Sequence, residues 1–293
     1  MELLREILSP DFTMRNSIYA SLLVGSACPL VGVFLVLRRL VFLGVALPQV
    51  SSAGIAFAFA LPAWGLLSEL HDTAQERSLA LAGSLAFTLA VVAWLAWLER
   101  RGRIQIENQL GVAYALAGAA GVLLLVQNPH GEHGMLELLR GEIIAVPDSD
   151  LLCATITFGL AAGCLLLFQK EVLLVSFDRD MAITLGKRVV VWDLFLYGLV
   201  ALTISVSVLM VGPLVTFGFL LLPATLARQW ARKMWVLLLG AVLTGTVAAL
   251  AGFLLAYKLD WPVGPTDLVL LGGLLAASWA VKGAVRWFSA RRF

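Results

Sequence analysis

The chain has 293 residues, 60% of them in the hydrophobic class and 14% charged, with a formal net charge of +2 and a mean hydropathy of +0.93. That balance excludes an ordinary soluble domain and leaves an integral membrane protein. Three cysteines, at 28, 153 and 164, fall inside apolar runs with no CxxC spacing, which argues against a disulfide framework or a zinc knuckle and for small core residues.

In chain order, "MELLREILSPDFTMRNS" mixes acids and bases ahead of the first long apolar run, unlike a cleaved signal peptide, and residues 1–16 are expected to form an amphipathic surface segment. A spanning helix needs about 20 apolar residues for a hydrocarbon core of roughly 30 Å. Candidates lie near 17–37, 41–62, 78–98, 110–126, 150–168, 193–211, 214–227, 234–256 and 266–284, which makes eight or nine transmembrane helices. The doubtful one, 214–227, would rise only about 21 Å and follows Gly212 and Pro213, so it is expected to be either a crossing or a half-span turning inside the protein. One transmembrane domain is expected over 17–286, with a tail at 287–293 and no internal repeat or soluble domain.

Loop charge orients the segments. Arg38 and Arg39, the triplet Arg100, Arg101 and Arg103, the run from Lys170 to Arg188, the group Arg228, Arg232 and Lys233, and the run from Lys282 to Arg292 share one side if the N-terminus is outside. By the positive-inside rule that side is the cytoplasm, with the C-terminus on it. Topology accounts for the basic residues, so they give no sign of a nucleic-acid partner. The nine tryptophans gather near span ends, as an interfacial belt in contact with membrane lipids does.

No GxxxxGK(S/T) loop is present, so no nucleotide site is visible in this chain. The cluster "HGEHG" at 130–134 has neither HExxH spacing nor an intramembrane position, and Glu107, Asp193 and Asp267 sit at segment ends rather than centres. An intramembrane hydrolase and a proton-driven carrier are both disfavoured, and the driving force is expected to come from a partner.

The longest inward loop, "KEVLLVSFDRDMAITLGKRVVVWDL", reads as a short helix. Asp178 or Asp180 suits its N-terminus, Gly186 a left-handed C-terminal cap, and Lys187 and Arg188 the negative end of its dipole. Met181, Ala182 and Leu185 are expected on one side as a small apolar knob for another protein. A solvated connector with incidental capping fits the residues equally well.

The strings "GVFLVLRRLVFLGVAL", "LRGEIIAVPDSDL", "LLVSFDRDMAITLG", "VGPLVTFGFLLLPATLAR" and "LDWPVGPTDLVL" follow one another in an order, and on a hydropathy profile, that resembles the permease subunit of the bacterial ABC-3 family of divalent-metal (zinc, manganese, iron) importers. The resemblance runs nearly end to end. It implies an all-α fold like that of the cobalamin and iron-siderophore importers with one early helix fewer, the type II ABC importer architecture, in the bacterial cytoplasmic (inner) membrane. It makes the loop 176–188, with Asp178, Asp180, Met181, Ala182, Leu185 and Gly186, similar to the coupling helix that docks on an ABC ATPase. The implied partners are two ATPase subunits holding ATP and magnesium, an extracytoplasmic substrate-binding protein, and a second permease copy or paralogue; the chain itself would bind no cofactor.

One stretch departs from the family. Its members place an aspartate and, four residues later, a histidine in the second helix, on one face and able to grip a dehydrated metal. The matching positions in "RRLVFLGVALPQVSSAG" are Val45 and Gln49: one ligand is lost, the other replaced by a neutral amide. Pro48 leaves the Gly44 carbonyl without its helical donor, so Gly44, Val45, Pro48, Gln49 and Ser52 are the candidate translocation-path residues, roughly 9 to 17 Å deep. Either they form a polar, charge-free station, or Pro48 is a packing kink and Gln49, Ser51 and Ser52 bond to neighbouring helices. The departure fits a heterodimer whose partner supplies the ligands, alternative groups from a symmetry mate, or a scaffold diverted to a metal chelate or small organic substrate. His130, Glu132 and His133, and likewise Glu69, His71 and Asp72, match no defined metal site. A non-transporting membrane anchor and an ABC exporter subunit are the rival classes.

Overall fold

The computed structural model describes residues 15–65, 73–100, 106–126 and 146–290, and all regular structure among them is helical. In chain order the helices are α1 (Arg15–Leu37), α2 (Val41–Ala63), α3 (Thr73–Arg100), α4 (Ile106–Val126), α5 (Asp148–Leu167), α6 (Gln169–Phe177), α7 (Arg179–Thr184), α8 (Val189–Trp230), α9 (Met234–Leu259) and α10 (Val263–Ala290). Eight of these are long and apolar enough to cross a membrane. Helices overrun the apolar windows at their ends: α3 begins at Thr73 with Glu76 in its first turn, where a carboxylate favours the helix dipole, and α10 continues to Ala290 through most of the expected tail. Of the expected surface segment at 1–16, residues 1–14 lie outside the described residues.

α8 decides the architecture. Its 42 residues would stretch roughly 63 Å if straight, twice the hydrocarbon thickness. Instead Gly212 takes φ 79° and ψ 167°, a conformation closed to residues with a Cβ, and Pro213 removes the next donor, so the helix reverses there into two arms. Both ends of α8 return to the same end of α1. Asp193 in the first arm meets Arg38, and Arg228 at the end of the second donates from Nη1 to the Val36 carbonyl at 3.1 Å. The pairing of Cys28 Sγ with Ser207 Oγ at 3.1 Å puts the reversal roughly two turns short of the Arg15 end of α1. The segment 214–227 is thus the return arm of a hairpin wrapped by other helices, where an interrupted backbone can be tolerated.

The remaining contacts set two ends of the bundle. At the Arg15 end, Asn16 Nδ2 donates to the Val146 carbonyl (3.0 Å) and to Asp148 Oδ1 (2.7 Å), while Arg77 pairs with Asp150. At the other end, Trp230 donates to Ser278 Oγ (2.8 Å) and Ser278 to Gln229 Oε1 (2.9 Å), which ties the return arm to the late turns of α10. That end also carries Arg38, Arg39, Arg179, Lys187, Arg188, Arg228, Arg232, Lys233 and Lys282.

α1, α2 and α8 form the interior, each 72% buried over its most apolar window, whereas the window of α4 is 11% buried and presents Leu116, Leu123 and Val126 outward. Lipid is as apolar as leucine, so attraction between spans comes from close approach and hydrogen bonds rather than from exclusion of water. Both are present. A Cβ on Gly32 of α1 would overlap the Leu220 carbonyl oxygen of the return arm, and a Cβ on Gly54 of α2 would overlap that of Gly83 in α3. Buried hydroxyls add a polar seam from α2 through α3 to the first arm of α8: Ser51 with Ser84 at 2.7 Å, and Thr88 with Ser205 at 3.0 Å.

The Gly32→Ala variant is expected to lower thermal stability in detergent by about 1 to 3 kcal/mol, because the methyl meets backbone that cannot yield without shifting the return arm. Gly159→Ala in α5, where an added methyl meets nothing within 4 Å, should be neutral or slightly stabilising. Equal melting shifts for the two would refute this packing account.

Candidate functional site

The polar, irregular features gather at the basic end, around α6 and α7. Where the sequence suggested one short helix, the chain forms two: α6 continues the line of α5 past a break at Phe168, and α7 turns away after Asp178. Asp178 has extended backbone (φ −140°) and its carboxylate accepts from the Met181 N–H at 2.9 Å, an N-cap. At the far end Gly186 has φ +73°, its N–H donating to the Ile183 carbonyl and the Lys187 N–H to that of Ala182, both at 2.9 Å. These paired bonds define a Schellman stop, which needs a residue tolerant of the left-handed region. Six residues of helix are held rigid by caps at both ends.

The faces of α7 differ from the expected knob. Ala182 is completely buried and points into the protein, because it lies on the side that packs against α6 and α8. The exposed apolar set is Met181 (50%), Ile183 (61%) and Leu185 (58%), with Phe177 beside them. Asp178, Asp180 and Gly186 are exposed as well. An uncovered apolar group rimmed by charge on an end of the bundle is a feature of interaction surfaces.

α7 is tied to the bundle through a group that sequence reading passed over as a segment-end carboxylate. Asp193, buried in the first turns of α8, accepts from Arg38 Nη1 at 2.5 Å on one oxygen and from the Arg179 guanidinium on the other. Arg38 also donates from Nε to Ser176 Oγ at 2.7 Å and stacks over the Tyr197 ring. The "RR" doublet before an apolar run was the visible sign. Arg38 follows the last residue of α1, and Arg39 takes the left-handed conformation (φ 60°) that turns the chain into α2.

In α2 the helix runs unbroken from Val41 to Ala63 across Pro48, which is buried. Gly44 lies against Leu35 and Leu221, toward α1 and the return arm. Gln49 is turned toward α4: a Cβ on Gly118 would stand 3.4 Å from its Nε2. Val45 and Gln49 are half-buried, and Ser52 is buried beside the Ser51–Ser84 pair. The Gly44 and Gln49 faces therefore look at different neighbours. His130, Glu132 and His133, with Glu69, His71 and Asp72, lie outside the described residues, and among the described residues no group of three or more His, Cys, Asp or Glu side chains could hold a metal ion.

A bundle of spanning helices with a kinked internal hairpin and a capped surface helix at its basic end is the form of a multi-pass membrane protein. The model of the ABC 3 transport family matches residues 11–282, and the chain belongs to that family. It is 28% identical over 274 residues to the zinc transport system membrane protein TroC of Treponema pallidum, covering 92% of this chain and 88% of that one. It is 25% identical over 254 residues to the manganese import system permease protein ScaB of Streptococcus parasanguinis, covering 86% and 84%. Among solved structures, PsaBC from Streptococcus pneumoniae in complex with Fab matches with a TM-score of 0.78 at 20% identity, covering 95% of this chain and 94% of that chain. The all-helical, importer-like fold inferred from the sequence is borne out.

Gly186→Val should destabilise α7 by about 1 to 2 kcal/mol, since a β-branched residue is strained at that φ. Faster amide hydrogen exchange over residues 182–187, with membrane insertion unchanged, is the expected readout, and Gly186→Asn should lie between the two. Unaltered exchange in the valine variant would remove the cap from the account.

Proposed function

We propose that this chain is the permease subunit of an ATP-driven importer whose cargo is a divalent metal cation, zinc, manganese or iron. The observation that carries this reading is the family match across almost the whole chain, combined with a rigid surface helix of exposed apolar residues at the basic end. Relatives named for zinc and manganese transport supply the cargo class. By the positive-inside rule the basic end is cytoplasmic, so the N-terminus is outside and the C-terminus inside, in a bacterial inner membrane.

The motor sits elsewhere. With no phosphate-binding loop of its own, the chain takes its driving force from two ATPase subunits holding ATP and magnesium, each docking on one α7, which requires a second permease copy or paralogue. Met181, Ile183 and Leu185 are the apolar part of that contact, and Asp178 and Gly186 keep it rigid. An extracytoplasmic binding protein delivers cargo at the opposite end. Closure of the ATPases moves α7 and rocks the helices between outward- and inward-open states.

Val45 and Gln49 leave the path without an ionised ligand on α2, and the Gln49 amide oxygen is a weak, uncharged donor. This favours a second reading, in which the ligands come from a different permease partner or the scaffold carries a metal chelate.

The test is ATP-dependent uptake in proteoliposomes containing the chain, its ATPase and its binding protein, with metal content measured on the purified complex. Uptake of zinc or manganese by the parent supports the first reading. Metal retention absent in the parent and gained in Val45→Asp with Gln49→His supports the second. Uphill transport by the isolated chain would overturn both.

A further inference from the structure

We propose that Asp193 is the positioning residue that carries motion from the surface helix α7 to the path helix α2, an inference that rests on the reading of α7 as the motor's docking element. One carboxylate joins three elements through charged groups. Asp193 belongs to the first turns of α8, Arg179 is the first residue of α7, and Arg38 stands in the turn that leads into α2, seven residues before Val45 and eleven before Gln49.

The two arms of this link differ in kind. Arg38 and Asp193 are both nearly closed to solvent, at 7% and 6% side-chain exposure, and the guanidinium is further held by Ser176 and the Tyr197 ring. A pair so enclosed is held strongly, because separating it would strand a buried charge. Arg179 is 49% exposed, so its bond to the other Asp193 oxygen is screened and readily broken and remade. The inner arm therefore fixes the α1–α2 turn to α8, and the outer arm is the releasable connection to α7. The cluster is also one acceptor short: Arg38 Nη2 is buried without a partner, a cost that a second arrangement can relieve. Two discrete arrangements biased from one end are what a transmission element requires.

Severing the outer arm tests this, because Arg179 is half-exposed and its loss does not strand a buried charge: Asp193 keeps Arg38. In the complete complex with its ATPase and binding protein, Arg179→Ala should leave subunit stoichiometry and most ATP hydrolysis intact while cargo moved per ATP falls about tenfold. Arg179→Lys, which keeps the charge, should recover most of the ratio. An unchanged ratio in Arg179→Ala, or loss of the ATPase from the complex, overturns the proposal, the latter because it makes Arg179 a docking contact.

A cargo-independent readout separates this inference from the choice of substrate. Val45→Cys is labelled with a membrane-impermeant maleimide, over the signal of the unsubstituted chain, with and without ATP and vanadate. Nucleotide should change the labelling rate when Arg179 is present and not in Arg179→Ala. If the parent complex imports no zinc or manganese and this difference is nevertheless seen, the cargo assignment fails and the transmission role stands. A nucleotide response that survives Arg179→Ala refutes the transmission role whatever the cargo.

Discussion

Inside hydrocarbon a backbone N–H or C=O finds no water, so any interruption of a helix must be covered by protein. The reversal at Gly212 is such an interruption, and the arrangement of the bundle follows from covering it. α1 runs beside both arms of α8, close enough at Gly32 for backbone to touch backbone, while α9 and α10 close the remaining sides. The most buried helices are α1, α2 and α8 itself, and the least buried, α4, stands outside the hairpin. A 42-residue helix that would otherwise overshoot the bilayer becomes a pair of internal arms with both ends on the basic side.

At the basic end charge, irregular backbone and exposed apolar side chains coincide. Two short turns share one stereochemical device. α1 ends with Arg39 in the left-handed region and α7 ends with Gly186 there, each closed by a pair of backward hydrogen bonds. The first aims Arg38 inward at Asp193, and the second presents Met181, Ile183 and Leu185 outward.

α2 shows a different economy. It tolerates Pro48 because neighbours supply close packing and hydroxyl bonds around it, and Ser51 takes its partner, Ser84, from α3. Gln49 keeps its amide half-buried against α4, where Gly118 leaves room for it. The neutral amide of Gln49 is accommodated between α2 and α4 without interrupting the helix that carries it.

The membrane class, the apolar segments and the two caps of α7 were legible from composition and local pattern, because hydropathy and capping depend on residues within a turn or two of one another. Gly186 as left-handed stop could be read directly, and the N-cap was narrowed to Asp178 or Asp180, of which Asp178 takes the position. What lay beyond local reading was which helices become neighbours. Ala182 turned inward, the 214–227 segment proved to be the return arm of a hairpin, and Asp193 drew its partners from residues 38 and 179. The sequence by itself determined that spanning helices form, which stretch of chain each occupies, and that a capped surface helix stands between them. Only the tertiary structure decided the pairing of charges and the faces turned to the core, because in lipid those choices rest on close packing and long-range polar bonds that no local period encodes.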